Sequence, residues 1–533
     1  MPRKRPAVLI AALATIALLL AGCSGGGGNE SKDNPKATKA KEILTKAGVS
    51  TPVELNLQYN GDHYGKNSDQ EYNAIKRQLE ATGLFKVNLQ QTEWVQYSKD
   101  RVSDVYPVYQ LGWFPDFPDA DNYLTPFFTE DNFLVNHFSD PEVSQLLVEE
   151  VGTTDPAART EQLKKLQEVL AQHMPTVPIL QGAQTAVTAK DVTGVQETLD
   201  ASFQFRFAGT QKAGDSGQVV KFGTTDKVTA LDPAGSYDNG SYNVHYNVYP
   251  YVLGFAPGNP VPTPDLAESC DFVSDGTVYS CKIKPGLKWA NGNTLDANDV
   301  KFTFDRQVAI AAPDGPSSLL GNLVSVDTPD DLTVNFNLSV ANDVTFPQVL
   351  ASPVGPVVDD QTFSATELVP DEEIVAAKAF GGAYQITSYK LNELIEYTPN
   401  PNYQGLHGAP QNAGATVKYY ADETNMKGDI EQGAIDVAHR SLAPTDIEAL
   451  EKGGKVSVLH GPGGEIRYIV FNLETQPGDS AEQKTAIRQA VAASIDRQEL
   501  ATQVYKDTYT PLCSFVPDGL PGASTAVCDA WGK

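Results

Sequence analysis

The segment richest in side chains that could bind a ligand or a metal ion is GWFPDFPDADNYL, residues 112–124. It sets the carboxylates of Asp116, Asp119 and Asp121 among aromatic rings, and its prolines are incompatible with a helix interior or a central strand. Asp119 and Asp121 have the i, i+2 spacing of a calcium loop, but a tyrosine and a leucine follow where that loop needs an oxygen ligand and a glycine. The sequence therefore predicts a loop of acids and aromatic walls that does not bind calcium.

Patterns that support catalysis are missing from the body of the chain. From residue 35 onward there is no Gly-x-Ser-x-Gly turn, no His-Glu-x-x-His motif, no Walker-type phosphate loop and no Gly-x-Gly-x-x-Gly fingerprint. The histidines are scattered, and paired carboxylates carry no information in so acidic a chain. We expect no catalytic residues, no metal site and no cofactor. An exported hydrolase is the alternative, which turnover of model peptides would support.

Length and charge narrow the class of protein. The chain has 533 residues and a formal charge of −27 at pH 7. The length provides for two or three lobes with separate cores. The acidity argues against non-specific nucleic-acid binding, and the composition is that of an ordinary folded protein.

The first residues are predicted to be an export signal. A basic start precedes an apolar run, residues 7–20, that is too short for a comfortable membrane span. LAGC, residues 20–23, is similar to a bacterial lipobox, which predicts a signal peptide over residues 1–22, lipidation of Cys23 and a flexible tether over residues 23–34. An ordinary signal peptide with an incidental cysteine is the alternative. A lipoprotein would be anchored to the cell membrane on its extracytoplasmic face.

The other four cysteines predict two disulfides, because an exported chain meets an oxidising environment. A two-residue Asp-Gly turn midway between Cys270 and Cys281 places them opposite each other across a hairpin. Cys513 and Cys528 are the remaining pair. Metal binding is the alternative, but the sequence has no Cys-x-x-Cys pair or histidine at zinc spacing.

Strand-like and helix-like periods follow one another along the chain. Residues 52–59 alternate as in a half-buried strand, and Tyr72, Ile75 and Leu79 then recur at helical spacing. This succession predicts α/β architecture with mainly parallel sheets. Residues 209–218 are polar and glycine-rich without periodicity, and are predicted to be an exposed linker.

Longer segments carry a resemblance. The most specific is PTPDLAESCDFVSDGTVYSCKIKPGLKWANGNTLDANDVKFTFDR, residues 262–306. Four further segments add to the resemblance. One is the stretch at residues 112–124, which we call the Gly-Trp loop. The others are GGAYQITSYKLNELIEYTPNPNY (381–403), IEQGAIDVAHRSLAPTDI (430–447) and RYIVFNLETQPGDSAEQKTAIRQAVAASIDRQEL (467–500). Together they resemble the family 5 extracellular solute-binding proteins, the dipeptide- and oligopeptide-binding components of ABC importers.

The order of these segments differs from that of the family. There, the Gly-Trp loop belongs to the last third, after the RQAVAASIDR helix at residues 488–497. Here residues 35–208 hold that last third and residues 219–533 hold the first two thirds, which indicates a circular permutation. Residues 209–218 would then join the usual termini, and the new ends should lie close together at the surface.

The resemblance implies an α/β fold with two lobes of the periplasmic-binding-protein type II kind, the additional domain of the peptide-binding family, and a cleft between the lobes. One lobe would be built from residues 186–208, 219–260 and 370–460. Residues 260–370 would form the additional domain. The other lobe would combine residues 35–185 and 465–533, so that the helix at 36–48 packs on the helix at 488–497.

The resemblance also implies ligand-binding residues. In peptide binders of the family the aspartate of Gly-Trp-x-x-Asp holds the ligand's α-ammonium, and this pattern falls on Trp113 and Asp116. A carboxylate in a water-poor cleft makes a strong charge-assisted hydrogen bond, and Trp113 would supply an apolar wall. The alternative is a core Trp113 and a turn-capping Asp116. Arg440 and Arg467 are candidates for the ligand's carboxylate, with surface ion pairing as the alternative for each.

We therefore expect a lipid-anchored substrate-binding protein of an ABC importer that captures peptides or peptide-like solutes for permease and ATPase subunits. It would be a monomer without nucleic-acid partners. Relatives that bind sugars or metal complexes keep parts of the Gly-Trp loop, so those solutes are alternative ligands. A module that signals to a membrane sensor without transport is a further alternative.

Overall fold

The structure, a computed structural model, describes residues 35–61, 63–213 and 217–533. The predicted signal peptide, the lipidation site Cys23 and the tether over residues 23–34 lie outside the described residues. Within the described ranges, every helix falls short of the length and apolar character that a membrane span requires.

Lobe II, as we call the body that contains the Gly-Trp loop, is built on a six-stranded sheet. In spatial order its strands are Phe85–Gln91, Val53–Tyr59, Val108–Trp113, Ile466–Phe471, Thr176–Gly182 and Tyr509–Pro511. Ile466–Phe471 lies between two strands from the first part of the chain and is antiparallel to both. The sheet is therefore complete only when both parts of the chain are present.

The helices of lobe II begin where the sequence supplies capping residues. They are Pro35–Lys46, Ser68–Ala81, Trp94–Arg101, Pro141–Val151, Pro156–His173 and Ala481–Ser494, with short helices at Ala120–Tyr123, Thr125–Phe128, Arg497–Glu499, Leu500–Val504 and Ala526–Trp531. The carboxylate of Asp155, for example, accepts the amide of Ala158 at 2.7 Å, with proline at the first helical position.

The first described helix packs on a helix from the far end of the sequence. Pro35–Lys46 contacts Ala481–Ser494, and its residues Ala40 and Leu44 are buried. The Nζ of Lys36 donates to the carbonyl of Lys533 at 2.8 Å. The predicted packing of these two helices is confirmed, because both chain parts share one core.

Lobe I is built on a seven-stranded sheet. In spatial order its strands are Tyr384–Lys390, Leu394–Pro399, Gly414–Tyr419, Val219–Thr224, Val437–His439, Gln184–Ala189 and Val456–Gly461. Its helices are Asn239–Val248, Asp371–Ala377, Glu423–Gln432 and Pro444–Gly453, with short ones at Pro233–Gly235 and Gln196–Thr198. The prediction of mainly parallel sheets is wrong. Both sheets are mixed, because several neighbouring strands are joined by short turns and others enter from the opposite lobe.

The additional domain has its own core around the buried Trp289. Its antiparallel sheet has the strand order Ala267–Val273, Val278–Ile283, Thr333–Leu338 and Leu323–Asp330, and Ala297–Ile310 is its long helix. Short elements complete it, at Leu253–Phe255, Pro262–Pro264, Ser274–Gly276, Leu287–Lys288, Thr294–Leu295, Pro316–Leu320 and Phe346–Leu350. The fold is thus α/β with two lobes and a third body, as the resemblance implied.

Both predicted disulfides are present, at Cys270–Cys281 and Cys513–Cys528. Cys270 and Cys281 are direct partners in the ladder, with their Cα atoms 4.1 Å apart. The predicted two-residue turn is wrong: Val273 pairs with Val278, so the turn has four residues. The register is unchanged because the longer turn has the same centre.

The predicted linker is only partly an exposed loop. Gln211–Lys212 pairs with Val192–Thr193, and Thr210 is buried. The side-chain amide of Asn412 donates to the carbonyls of Phe207 and Thr210 at 2.9 and 2.8 Å, which ties the segment to lobe I. The polar composition of the segment gave no indication that its backbone would be paired.

Candidate functional site

A cavity of about 670 Å³ lies between the two lobes. Lobe II lines it with Tyr64, Phe114, Arg467, Tyr505 and Tyr509, and lobe I lines it with Thr185, Phe203, Asp226, Glu423, Arg440 and Leu442. A volume of this size is typical of small-ligand sites. Because both lobes contribute walls, a change in the angle between them would open or close the cavity.

Two chain segments connect the lobes beside the cavity. One joins the lobe II strand that ends at Gly182 to the lobe I strand that begins at Gln184, and the other is residues 462–465. The amide of Gly182 donates to the carbonyl of Glu465 at 2.9 Å, so the two segments lie in contact. A Cβ on Gly463 would lie 1.5 Å from the Gly182 oxygen, so this approach requires glycine. Short crossings of this kind are where hinge motion concentrates.

Arg467 lies in the cavity wall with its hydrogen-bonding capacity filled. Its acceptors, at 2.6–3.2 Å, are the carboxylates of Glu71 and Glu465, the carbonyl of Tyr64 and the hydroxyls of Tyr505 and Tyr509. A guanidinium has five N–H donors, and each of them is used here. Arg467 therefore has no donor left for a ligand, and instead fixes the orientation of Glu465.

Arg440 is held in a different way. Its guanidinium lies over the rings of Phe114 and Phe203, 5.5 and 5.2 Å from their centres. Its side chain makes no hydrogen bond to the described part of the chain, and its nearest charge is Oδ2 of Asp226, 3.7 Å from Nε. The backbone is left-handed at Arg440 and Ser441, with φ of 61° and 62°. Such strain costs about 1 kcal/mol or more per residue and is commonly found at binding sites.

Asp226 is a charged lining residue that sequence reasoning missed. Its side chain is 14% exposed. Its carboxylate accepts no hydrogen bond from the described residues, and its Oδ2 is fully buried. A largely buried carboxylate without hydrogen-bond donors is costly unless a partner arrives.

The charges that line the cavity are balanced. Among the described residues the acids are Asp226, Glu423 and Glu465, and the bases are Lys66, Arg440 and Arg467. Lys66 and Glu423 come from different lobes and form an ion pair across the cleft, with Nζ and Oε1 2.8 Å apart. A balanced lining suits a ligand that carries both charges.

The Gly-Trp loop contacts all three bodies. The indole of Trp113 packs against Phe127 in lobe II, with ring centres 5.0 Å apart, and its Nε1 donates to Asn122 at 3.0 Å. Phe114 is the aromatic side chain of this loop that lines the large cavity, and Phe117 packs in the core of the additional domain. Trp113 is therefore not brought to the cavity wall in this conformation.

Asp116 joins the lobes at a buried position. Its carboxylate accepts hydrogen bonds from Tyr237 of lobe I and from the amide of Asn122, the latter at 3.0 Å. Burial raises its pKa to about 6, although both hydrogen bonds act in the opposite direction. Asp116 does not line the large cavity, but its neighbour Pro115 lines a narrow pocket with Tyr242, Tyr246 and Arg440. Arg440 stands between that narrow pocket and the large cavity.

The other acids of the loop are held by an arginine. Asp119 makes a two-point contact with Arg159 at 2.7 and 2.8 Å, and the Nε of Arg159 donates to Glu150 at 2.7 Å. Burial, then the neighbouring Asp121, raises the pKa of Glu150 to about 9. These two acids, Asp119 and Glu150, therefore already have a cationic partner within the protein.

One group of carboxylates has metal-like spacing. Asp299, Asp359 and Asp360 of the additional domain have oxygens within 4.8 Å of one another. Asp299 and Asp359 already accept hydrogen bonds, among others from Trp289, Asn291 and Asn293. These donors account for the cluster as part of the fold, away from the cavity.

Comparison with known proteins gives the family. The sequence model of the bacterial extracellular solute-binding proteins, family 5 Middle, matches residues 20–134 and 261–530, which is more than half of the chain. The probable D,D-dipeptide-binding periplasmic protein DdpA of Escherichia coli K12 is 25% identical over 297 residues, 55% of this chain and 56% of that protein. The glutathione-binding protein GsiB of Pectobacterium atrosepticum is 24% identical over 305 residues, 57% of this chain and 56% of that protein.

The chain thus spans about half the length of the curated relatives it matches. Among solved structures, the oligopeptide-binding protein AppA of Bacillus subtilis, in complex with a nonapeptide, is 21% identical with a TM-score of 0.39, over 44% of this chain and 46% of that chain. From the match of the family's sequence model to two blocks of its sequence, the chain belongs to the bacterial extracellular solute-binding proteins of family 5.

Proposed function

We propose that the protein is the extracytoplasmic substrate-binding component of an ABC importer, and that it captures peptides or peptide-like solutes between its lobes. The observation that carries this proposal is the inter-lobe cavity, whose described charges are balanced. The two ends of a peptide carry one positive and one negative charge, so their entry would leave the charge of the cavity balanced. Permease and ATPase subunits would be its partners.

Asp116 is proposed to hold the ligand's α-ammonium. Its carboxylate is buried, and its partner across the lobes is the neutral hydroxyl of Tyr237. A ligand ammonium that displaced this hydroxyl would place a positive charge beside the carboxylate, so the hydrogen bond would gain the attraction of an ion pair. Trp113 would act by holding Asn122, which in turn holds Asp116.

Lipid anchoring through Cys23 and export by the preceding signal are further parts of the proposal. They rest on the sequence of residues 1–23: the basic start, the apolar run and LAGC. Mass spectrometry of the purified membrane fraction would test them, because a diacylglycerol adduct on Cys23 has a defined mass. A Cys23→Ala variant should appear in the soluble fraction, and equal membrane retention of that variant would contradict the anchor.

We also propose that residues 35–208 and 219–533 are the family's last third and first two thirds in exchanged order, joined at 209–218. Two observations support this. The lobe II sheet combines strands from both parts, and Lys36 contacts Lys533 across the described ends of the chain. Both are expected when a single fold has been cut at the surface of lobe II.

A thermal-shift screen tests the ligand class. Purified protein is heated with peptides, oligosaccharides or metal chelates, and a ligand at 100 times its Kd adds about 2.7 kcal/mol to stability. We expect peptides to raise the melting temperature. A shift from sugars or chelates alone would replace the peptide proposal with that ligand class. Release of product from model peptides would instead indicate a hydrolase.

A further inference from the structure

Lobe I and lobe II are joined by an ion pair at the mouth of the large cavity. Lys66 precedes the helix Ser68–Ala81 of lobe II, and Glu423 is the first residue of the helix Glu423–Gln432 of lobe I. The Nζ of Lys66 lies 2.8 Å from Oε1 of Glu423, and both residues line the cavity. The Lys66 side chain is 79% exposed, so the pair lies where the cavity meets solvent. Of the ion pairs among the described residues, it is the one that joins lobe I to lobe II.

Neither side chain of this pair is held by its own lobe. Within the described part of the chain, the Lys66 ammonium and the Glu423 carboxylate have no hydrogen bond or ion pair except the one between them. The neighbouring Asp422, by contrast, caps its own helix, and its carboxylate accepts the amide of Thr424 at 2.9 Å. The pair therefore stabilises the contact between the lobes and not either lobe alone.

The backbone on each side of the pair is fixed within its lobe. In lobe II the carbonyl of Tyr64 accepts a hydrogen bond from Arg467 at 2.6 Å, and Gly65, with a φ of 86°, turns the chain immediately before Lys66. In lobe I the Asp422 cap fixes the start of the helix that carries Glu423. The distance between the two charges therefore depends on the angle between the lobes.

We propose that Lys66 and Glu423 form a latch that stabilises the closed arrangement of the lobes, and that dissolved salt weakens this latch. The cavity then opens more often at high ionic strength, whichever solute the protein binds. The attraction between exposed charges is screened, because the Debye length shortens from about 20 Å in 20 mM salt to about 4 Å in 500 mM salt. Asp422 places a second negative charge near Lys66 and adds to the attraction.

The other contacts between the lobes respond less to salt. The buried carboxylate of Asp116 in lobe II accepts a hydrogen bond from the neutral hydroxyl of Tyr237 in lobe I. Phe114 of lobe II contacts Arg440 of lobe I through its ring. Neither contact pairs two exposed charges, so a strong dependence of closure on salt points to Lys66 and Glu423.

Single-molecule fluorescence energy transfer between the lobes tests the latch without any added solute. Lys99→Cys on lobe II and Ala449→Cys on lobe I provide exposed positions for the two dyes. The full chain also carries Cys23→Ala, so that the remaining cysteines are held in the two disulfides. The ratio of closed to open molecules is counted in 20 mM and in 500 mM NaCl. We expect this ratio to fall about two- to fivefold at the higher concentration, which is the contribution of an exposed ion pair.

Variants of the labelled chain assign the salt dependence to the pair. Lys66→Gln and Glu423→Gln should each lower the ratio in 20 mM NaCl to the value that the parent chain has in 500 mM NaCl. Combining Lys66→Glu with Glu423→Lys reverses both charges, and should raise the ratio above that of either single Gln variant. Lys86→Gln is the matched control, because it removes an exposed cation that is paired with Glu54 inside lobe II. It should leave the ratio and its salt dependence unchanged.

Three results would overturn the latch. The first is a ratio of closed to open molecules that is the same at both salt concentrations in the parent chain. The second is a folded Lys66→Gln variant that is closed as often as the parent chain in 20 mM NaCl. The third is a single, unchanging population in every sample. Because no solute is present, none of these results bears on the proposed binding of peptides, which the thermal-shift screen tests separately.

Discussion

Peptide affinity should depend on pH through Asp116. Burial raises the pKa of this carboxyl to about 6 in the ligand-free protein. A protonated carboxyl cannot pair with an ammonium, and the competent fraction at pH 5 is roughly one tenth for a pKa near 6. Apparent affinity should therefore fall about tenfold between pH 7 and pH 5, close to 1.4 kcal/mol. Above about pH 8 it should fall again, as the ligand's own amine loses its proton.

Isothermal titration calorimetry of a peptide found in the thermal screen would measure this dependence. Titrations at pH 5, 6 and 7 in two buffers of different ionisation enthalpy also count the protons released. We expect close to one proton released per peptide at pH 5 and almost none at pH 7, because the ammonium forces Asp116 to ionise. Asp116→Asn should weaken binding by about 2–5 kcal/mol and remove the dependence on pH below 7.

A second variant, Tyr237→Phe, tests the same dependence of peptide affinity on the pKa of Asp116. The Tyr237 hydroxyl donates to Asp116 and lowers the pKa of that carboxyl. Its removal should move the midpoint of the affinity profile to higher pH while the slope stays the same. A flat profile in the wild type, or an identical profile in Asp116→Asn, would show that Asp116 is not the ammonium partner.

Three further predictions concern stability. Folded Glu150 has a pKa of about 9 against an ordinary 4.5, so the folded state holds an extra proton in that window and stability falls as pH rises through it. In urea unfolding, the free energy of unfolding of Glu150→Gln should rise relative to that of the wild type by up to about 4 kcal/mol between pH 5 and pH 8. A difference between the two proteins that does not change with pH would refute the raised pKa. Arg467→Met should lower the free energy of unfolding by about 3–5 kcal/mol, because Glu71 and Glu465 lose their buried partner. An unchanged urea unfolding curve would contradict this. A reordered chain, residues 219–533 followed directly by 35–208, should fold with a melting temperature within a few degrees of the original; an insoluble product would count against the exchanged order.

Local patterns predicted the elements and the cross-links of this fold. Periodicity identified the strand Val53–Tyr59 and the helix Ser68–Ala81, and the pairing centre between Cys270 and Cys281 was correct although the turn length was not. Strand direction was not predictable in the same way. Whether a strand is parallel to its neighbour depends on which distant segment lies beside it. Hydrophobic periodicity is a local property and does not contain that information.

The candidate site was predicted only in part. Arg440 and Arg467 were both found from their residue type and position, yet nothing local distinguishes them. Their difference lies in Glu71, 396 positions from Arg467 in sequence, and in Phe203, which lies outside every motif. Asp226 was missed for the same reason, because its burial without hydrogen-bond donors from the described residues is a property of the assembled cleft.

The Gly-Trp loop shows why its sequence did not reveal which aromatic side chain faces which part of the molecule. In an irregular loop, successive residues point in directions that no period relates. Trp113 turned into lobe II, Phe114 into the cavity and Phe117 into the additional domain. Phe114, and not Trp113, thus lines the large cavity in this conformation.

The hinge explains how an exchanged order can leave the binding geometry intact. Both crossings, at Ala183 and at residues 462–465, lie within uninterrupted stretches of the sequence. The proposed joint at 209–218 lies in lobe I and the described ends lie in lobe II, so the exchange adds no crossing and removes none. Closure would therefore use the same two connections. What would change is the attachment: the proposed lipid anchor at Cys23 would hold lobe II, which carries Asp116, so lobe I, with Arg440, would be the lobe that moves relative to the membrane.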